Sequence, residues 1–240
     1  YTSPHTLSLH DALPIWLAAG TYAAHLRLKS IEPDPTEIRV PLELTVHDLA
    51  LPRPRPLRFC MWSYDGGPLG TDRPEVLSEL VEHGTTVFFG TCPDAQCDAD
   101  GNLTGPVDFA AHDESVARLA PQGFLLFGSP QGHVKGAPFL SEPWRKAFVA
   151  YLRAWSAHMT GLGVDPKLWA LYPYDEPSAP YSETTLNLVE VAKLIREADP
   201  QVLIYTDPTS GTTMESVDMY KELIDIWCPS YELLTRLGPD

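Results

Sequence analysis

The stretch Trp169-Ala-Leu-Tyr-Pro-Tyr-Asp-Glu-Pro177 decides how the rest of the chain reads. Its first half is a run of aromatic and aliphatic residues too short for a helix, which reads as a strand. Pro177 cannot donate a ladder hydrogen bond and closes the strand. Just before it stand two adjacent carboxylates, Asp175 and Glu176. An acid pair at the C-terminal lip of a strand, followed by a helix, is the placement at which α/β barrels carry their chemistry. A solvated acidic turn, or a charge pair at the positive end of the next helix, would leave the same two letters. Tyr172, Tyr174 and Tyr181 crowd the pair, however, and an apolar wall raises a carboxyl pKa towards that of an acid catalyst. The aromatics favour the functional reading.

Around this stretch the chain from Leu57 onward alternates strand and helix, the pattern of a parallel sheet with helical crossovers. Strands are expected at Leu57–Ser63, Thr85–Gly90, Phe124–Gly128, Leu168–Tyr174, Val202–Thr206 and Ile224–Cys228. Helices are expected near Pro74–His83, begun by Asp72, and Asp113–Ala120, stopped by Gly123. The longest spans Glu142–Thr160, with Ser141 as cap, Pro143 in the first turn and Trp144, Phe148, Leu152, Trp155 and Met159 on one stripe. Two more come at Glu183–Ala198, behind Ser182, and near Glu215–Leu223. No glycine-rich phosphate loop succeeds the first strand, which argues against a doubly wound nucleotide-binding sheet. The expected class is α/β: a (β/α)8 TIM-type barrel truncated after its sixth strand, residues 57–240.

Ahead of it, Gly20–Lys29 and Ile38–His47 alternate apolar and polar residues as half-buried strands, with a turn at Glu32–Thr36 and Pro41 marking an edge or bulge. Two strands make no stable sheet alone, so residues 15–48 are expected to be the tail of a β-sandwich. The Pro-rich segment 49–56 reads as a stiff linker. Residues 1–14 carry no period of either kind and resemble translated sequencing-adapter read-through.

Composition narrows the partners. The 240 residues carry a net charge of -15, which disfavours nucleic acid and anionic membrane surfaces. No apolar run approaches the roughly 18 residues of a membrane span. Neutral sugars fit the aromatic content. Aromatics near strand ends, Trp62, Tyr64, Tyr172, Tyr174, Trp227 and Tyr231, are candidates for sugar stacking, and Asp207 ends the fifth strand as a further pocket residue. Asp98-Ala-Asp-Gly-Asn102 has its glycine too early for a calcium loop and reads as a tight turn. His112, His133 and His158 stand singly and read as solvent or helix-surface residues. Cys60 and Cys228 read as buried thiols. Cys92 and Cys97 permit a disulfide or half a metal site, but no partner stands at ligand spacing. No metal and no cofactor is expected.

Adjacent Cα atoms are only about 3.8 Å apart. The two acids can hardly flank a sugar ring as separate carboxyls do, at about 5 to 5.5 Å for retention or about 6.5 to 9.5 Å for inversion. Keeping both on one side calls for another nucleophile, which the 2-acetamido group of an N-acetylhexosamine can supply. Glu176 would protonate the leaving oxygen and later activate water, while Asp175 would accept the acetamido N–H. Strict strand alternation would send the two side chains to opposite faces. The strand must therefore break between Tyr174 and Pro177.

Tyr-Pro-Tyr-Asp-Glu-Pro177, the long helix before it, the Asp98–Leu103 loop and the strand tail joined through Leu51-Pro52 resemble glycoside hydrolase family 123. The resemblance covers about residues 16–240 and rests mainly on the acid pair and the layout. It implies a β-N-acetylgalactosaminidase with Asp175 as stabiliser, Glu176 as acid/base, and an extracellular or periplasmic setting. The alternatives are a barrel glycosidase with a second catalytic Glu on a seventh strand, and a non-catalytic carbohydrate-binding module. The 240-residue piece alone, with unpaired barrel edges, is expected to be inactive or to aggregate.

Overall fold

A computed structural model of the protein describes residues 17–30, 36–49 and 57–237. The leader 1–14, the turn at Glu32–Pro35 and the linker Pro52–Pro56 lie outside the described residues. The chain divides into two compact units, Tyr1–Pro56 and Leu57–Asp240.

In the first unit, β1 (Gly20–Lys29) and β2 (Glu37–Val46) pair antiparallel from Gly20↔Val46 to Lys29↔Glu37. Pro41 sits opposite His25 in an uninterrupted register, so it marks an edge and not a bulge.

The second unit is a mixed α/β layer built on a parallel sheet. Its strands are β3 (Val87–Gly90), β5 (Phe124–Gly128), β7 (Trp169–Tyr172), β8 (Leu203–Thr206) and β9 (Ile226–Trp227). A separate two-residue pair joins β4 (Ala95–Gln96) to β6 (Val134–Lys135), which the sequence pattern did not announce. The main sheet runs β3-β5-β7-β8-β9, so spatial order matches chain order with no reversal. Every crossover therefore steps the same way, as in a barrel and unlike a doubly wound sheet. The sheet also curls. Val87 from one edge strand and Ile226 from the other line a single cavity of about 350 Å³.

Both faces of the sheet are buried, which is why its strands read as continuous apolar runs. Phe89, Phe124, Leu126, Ala170, Tyr172 and Tyr205 form the concave face. Their alternates Phe88, Leu125, Phe127, Trp169, Leu171 and Ile204 join the helical layer. In that layer α3 (Glu142–Gly161) contributes Trp144, Phe148, Leu152, Trp155 and Met159, all buried, and Ser141 Oγ accepts the Trp144 N–H at 3.3 Å. The flanking helices are α1 (Pro74–Glu82), α2 (Ala110–Leu119), α4 (Glu183–Ala198), capped by Ser182, and α5 (Met214–Tyr220).

Several expectations need correction. The strand expected at Leu57–Ser63 is reduced to one parallel bridge, Cys60↔Val87. Trp62 adopts a left-handed backbone with φ 53°, which no strand can continue through. The α1 cap is Arg73 without a side-chain bond, because the Asp72 carboxylate accepts from the Gly66 N–H at 2.8 Å. Helix α2 ends at Leu119, and Gly123 has a different duty: a Cβ there would meet the Thr86 carbonyl oxygen at 2.3 Å. A terminal helix α6 (Tyr231–Leu237) was not foreseen.

Candidate active site

Strand β7 ends at Tyr172, where the Tyr172 carbonyl accepts the Ser129 N–H at 2.8 Å. Beyond it, Gln131 Nε2 donates to the Pro173 carbonyl at 2.6 Å, tying the outgoing chain to the loop after β5. Glu176 then takes a left-handed backbone with φ 47°. For a non-glycine residue such a conformation costs free energy and persists only where the surroundings hold it. Here the Glu176 N–H donates to Asp207 Oδ1 at 3.2 Å, from the loop just after β8.

The Tyr172 hydroxyl is the centre of the arrangement. It contacts Asp175 Oδ1, and it lies 2.7 Å from Asp207 Oδ2. Burial, then the two carboxylates, push the Tyr172 phenol well above the usual tyrosine range. Burial also pushes Asp207 up to about 6, with the charge on Asp175 adding to it; the Tyr172 hydroxyl and the Glu176 N–H pull the other way. Tyr64 is raised by burial and by Asp175.

Asp175 borders a cavity of about 400 Å³ together with Tyr64, Phe89, Thr91, Ser129 and Tyr172. Its walls come from the C-terminal ends of β3, β5 and β7, the end at which α/β barrels place their active sites. Glu176 is exposed and stands outside the lining of this cavity. A second opening, of about 420 Å³, lies at the N-terminal end of the sheet beside Leu125 and Leu168, away from the acid pair.

The other candidates distribute unevenly. Trp62 packs on Phe89 and Tyr172, with ring centroids 5.3 and 5.9 Å away. Trp62 and Trp227 both line the concave cavity of about 350 Å³, and Trp227 stacks on Tyr220 at 5.6 Å. Tyr174 turns to the opposite side and packs against the helical core. Tyr231 is 80% exposed on α6. The structure therefore brings Tyr64, Tyr172, Asp175 and Asp207 together, keeps Trp62 beside them, and sends Tyr174 and Tyr231 elsewhere.

Residues without a distinguishing sequence signal complete the wall. Phe89 and Thr91 look like ordinary strand and loop residues. Asp65 anchors the Trp62–Tyr64 segment through Arg118 Nη2, at 2.6 Å from both carboxylate oxygens.

The histidine expectation is overturned for two of the three. His112 is fully buried and bonds through Nδ1 to Asp113 Oδ1 at 3.1 Å, and His158 Nε2 meets the same oxygen at 2.7 Å. Among the described residues this trio is the group whose ligand atoms come close enough to hold a metal. The Trp155 indole N–H, however, donates to His112 Nε2 at 2.8 Å. That places the proton of the neutral ring on Nδ1, where a metal would have to bind. Burial keeps His112 below the usual histidine range, in favour of the neutral form. His133 is half-buried, borders the cavity beside Asp175 and bonds to Asp94 at 3.0 Å.

The cysteines also differ from expectation. Cys228 is exposed and Cys60 half-buried, while Cys92 and Cys97 are buried free thiols. The Asp98–Asn102 segment folds as a turn, with Asp98 Oδ1 accepting the Asn102 N–H at 2.8 Å. Lys146 Nζ occupies the Asp100 carbonyl and Asn102 Oδ1, at 3.1 and 2.7 Å, oxygens that a calcium ion would need. No described helix is long and apolar enough to cross a membrane.

No family model and no curated protein matches the chain. Among solved structures it is similar to a glycoside hydrolase at 16% identity, covering 67% of this chain and 53% of that one, with a TM-score of 0.41. It is similar to a psychrophilic family 10 endo-β-1,4-xylanase at 9% identity, over 64% and 54% of the two chains, with a TM-score of 0.38. It is also similar to a family 39 glycoside hydrolase from Bacteroides cellulosilyticus at 16% identity, over 78% and 38%, with a TM-score of 0.37. The chain spans about half the length of the first two and less of the third. At TM-scores below 0.5, these likenesses assign no chemistry to the site.

Proposed function

We propose that the protein is a glycoside hydrolase acting on β-linked N-acetylhexosamines, with N-acetylgalactosamine favoured, by substrate-assisted retaining catalysis. The observation that carries this reading is the break after β7. Asp175 borders a cavity of about 400 Å³ at the C-terminal strand ends, and the left-handed backbone at Glu176 releases the next carboxyl from strand alternation.

In this reading Asp175 Oδ1 is held by the Tyr172 hydroxyl and Oδ2, which carries no hydrogen bond among the described residues, accepts the acetamido N–H. The acetamido oxygen attacks C1 of its own sugar and the bond to the leaving oxygen breaks. The carboxylate of Asp175 stabilises the positive charge that spreads onto the acetamido group. Glu176, exposed and next in the chain to Asp175, gives its proton to the leaving oxygen and then takes one from the water that opens the cyclic intermediate. Tyr64 and Phe89 border the cavity and supply an aromatic wall for the sugar ring, with Trp62 packed behind Phe89.

The test is hydrolysis of an aryl 2-acetamido-2-deoxy-β-galactoside against its 2-hydroxy counterpart by the full-length protein. Cleavage restricted to the acetamido sugar, and inhibition by a thiazoline mimic of the intermediate, are expected. Equal cleavage of the 2-hydroxy glycoside would refute substrate assistance, and sugar binding without turnover would make the protein a carbohydrate-binding module.

A further inference from the structure

We propose that Asp207 is a positioning residue: it holds a proton on Oδ2 and, through the Tyr172 hydroxyl, keeps Asp175 as the charged carboxylate of the two. This assigns Asp207 a duty other than sugar contact. The consequence for catalysis rests on the glycosidase reading, but the proton assignment does not.

A phenol has one O–H, and can donate to one acceptor at a time. The Tyr172 oxygen nevertheless meets two carboxylate oxygens, Asp175 Oδ1 and Asp207 Oδ2. Both contacts can be hydrogen bonds only if one carboxyl brings a proton of its own. Asp207 is the half-buried member and Asp175 the exposed one, so the uncharged form falls to Asp207. Its other oxygen, Oδ1, accepts the Glu176 N–H at 3.2 Å, which leaves Oδ2 as the hydroxyl end. The chain then reads Asp207 Oδ2–H to Tyr172 Oη, and Tyr172 Oη–H to Asp175 Oδ1. Two protons serve two bonds, and the trio carries a single negative charge.

The surroundings supply nothing that would neutralise a second charge. Across from Asp207 stand Tyr172 at the end of β7, Asp175 beyond it, the Glu176 peptide, Tyr205 on β8 and Tyr64 from the segment after Cys60. Among the described residues no lysine, arginine or histidine forms an ion pair with Asp175 or Asp207. The raised pKa of Asp207 agrees with this arrangement. Above that pKa, Asp207 and Asp175 compete for one hydroxyl proton, and Asp175 loses its fixed orientation.

The test is a carboxyl titration of the full-length protein carrying 13C-carboxyl aspartate, read by NMR in the wild type, Asp207→Asn and Asp175→Asn. One aspartate should titrate near 6. The signal should vanish in Asp207→Asn, whose amide can still donate to Tyr172 and accept from Glu176. In Asp175→Asn it should move to lower pH, because the neighbouring charge is gone. In Asp207→Asn the falling limb of the kcat pH profile should lose the component that follows Asp207 and keep the one set by the acid Glu176. An Asp207 that titrates in the ordinary carboxylate range, or one that Asp175→Asn leaves unmoved, overturns the proposal whatever the activity. A correct titration in a protein that cleaves no glycoside sinks the proposed function and leaves the proton assignment standing.

Discussion

Replacing Asp207 by Asn should stabilise the fold in a pH-dependent way, by an amount set by the site. The folded carboxyl is raised from 3.8 to about 6, chiefly by burial. A gap of roughly two units corresponds to roughly 3 kcal/mol at about 1.4 kcal/mol per unit. Because Asp207 is partly exposed, solvent screening reduces this to roughly 1–2 kcal/mol. The sign is set by proton uptake. A group whose folded pKa is raised contributes stability that is full below the unfolded pKa and is lost as pH rises through the folded one. Wild type should therefore weaken relative to Asp207→Asn between about pH 4 and about pH 6, and the difference should level off above about pH 7. The Asn side chain can preserve both hydrogen bonds, so the comparison isolates the charge. Urea denaturation of both proteins across this range measures it. Parallel stability curves, or a variant weakened more at neutral than at acid pH, would refute the reasoning.

Three further substitutions probe packing away from the acid pair. Trp155→Phe removes the donor to the buried His112 Nε2 and should cost about 1–3 kcal/mol in unfolding free energy, with a change in the His112 tautomer visible by 15N NMR. Gly101→Ala should destabilise by about 1–3 kcal/mol, because φ is +76° and a Cβ would meet the Pro143 carbonyl oxygen at 2.2 Å. Gly132→Ala, where a Cβ would meet nothing within 4 Å, is its control and should stay within about 0.5 kcal/mol of wild type.

What the sequence disclosed and what it concealed have physical reasons. Strands such as Phe124–Gly128 were legible because a strand buried on both faces must be apolar throughout. Helices α3 and α4 were legible because serine caps and apolar stripes are local signals. The first strand was misread because Leu57–Ser63 has the composition of a strand, while the left-handed turn at Trp62 depends on packing against Phe89 and Tyr172. At the site, the acid pair and Asp207 stand out by residue type and position. That one tyrosine bridges Asp175 and Asp207 could not be read, because the bridge joins residues 35 positions apart across two strands. His112 and His158 escape the sequence for the same reason: they lie on different helices and come together around Asp113, with their rings 5.9 Å apart.

The central claim, that Asp175 and Glu176 work on one sugar with Glu176 as the acid, is tested most directly by Glu176→Gln on aryl 2-acetamido-β-glycosides of graded leaving-group basicity. An acid that protonates the leaving oxygen contributes about 10²- to 10⁴-fold. The loss should approach that range for a basic phenol and shrink for an acidic nitrophenol that departs without help. A loss that is uniform across the series, or no loss at all, would contradict the account.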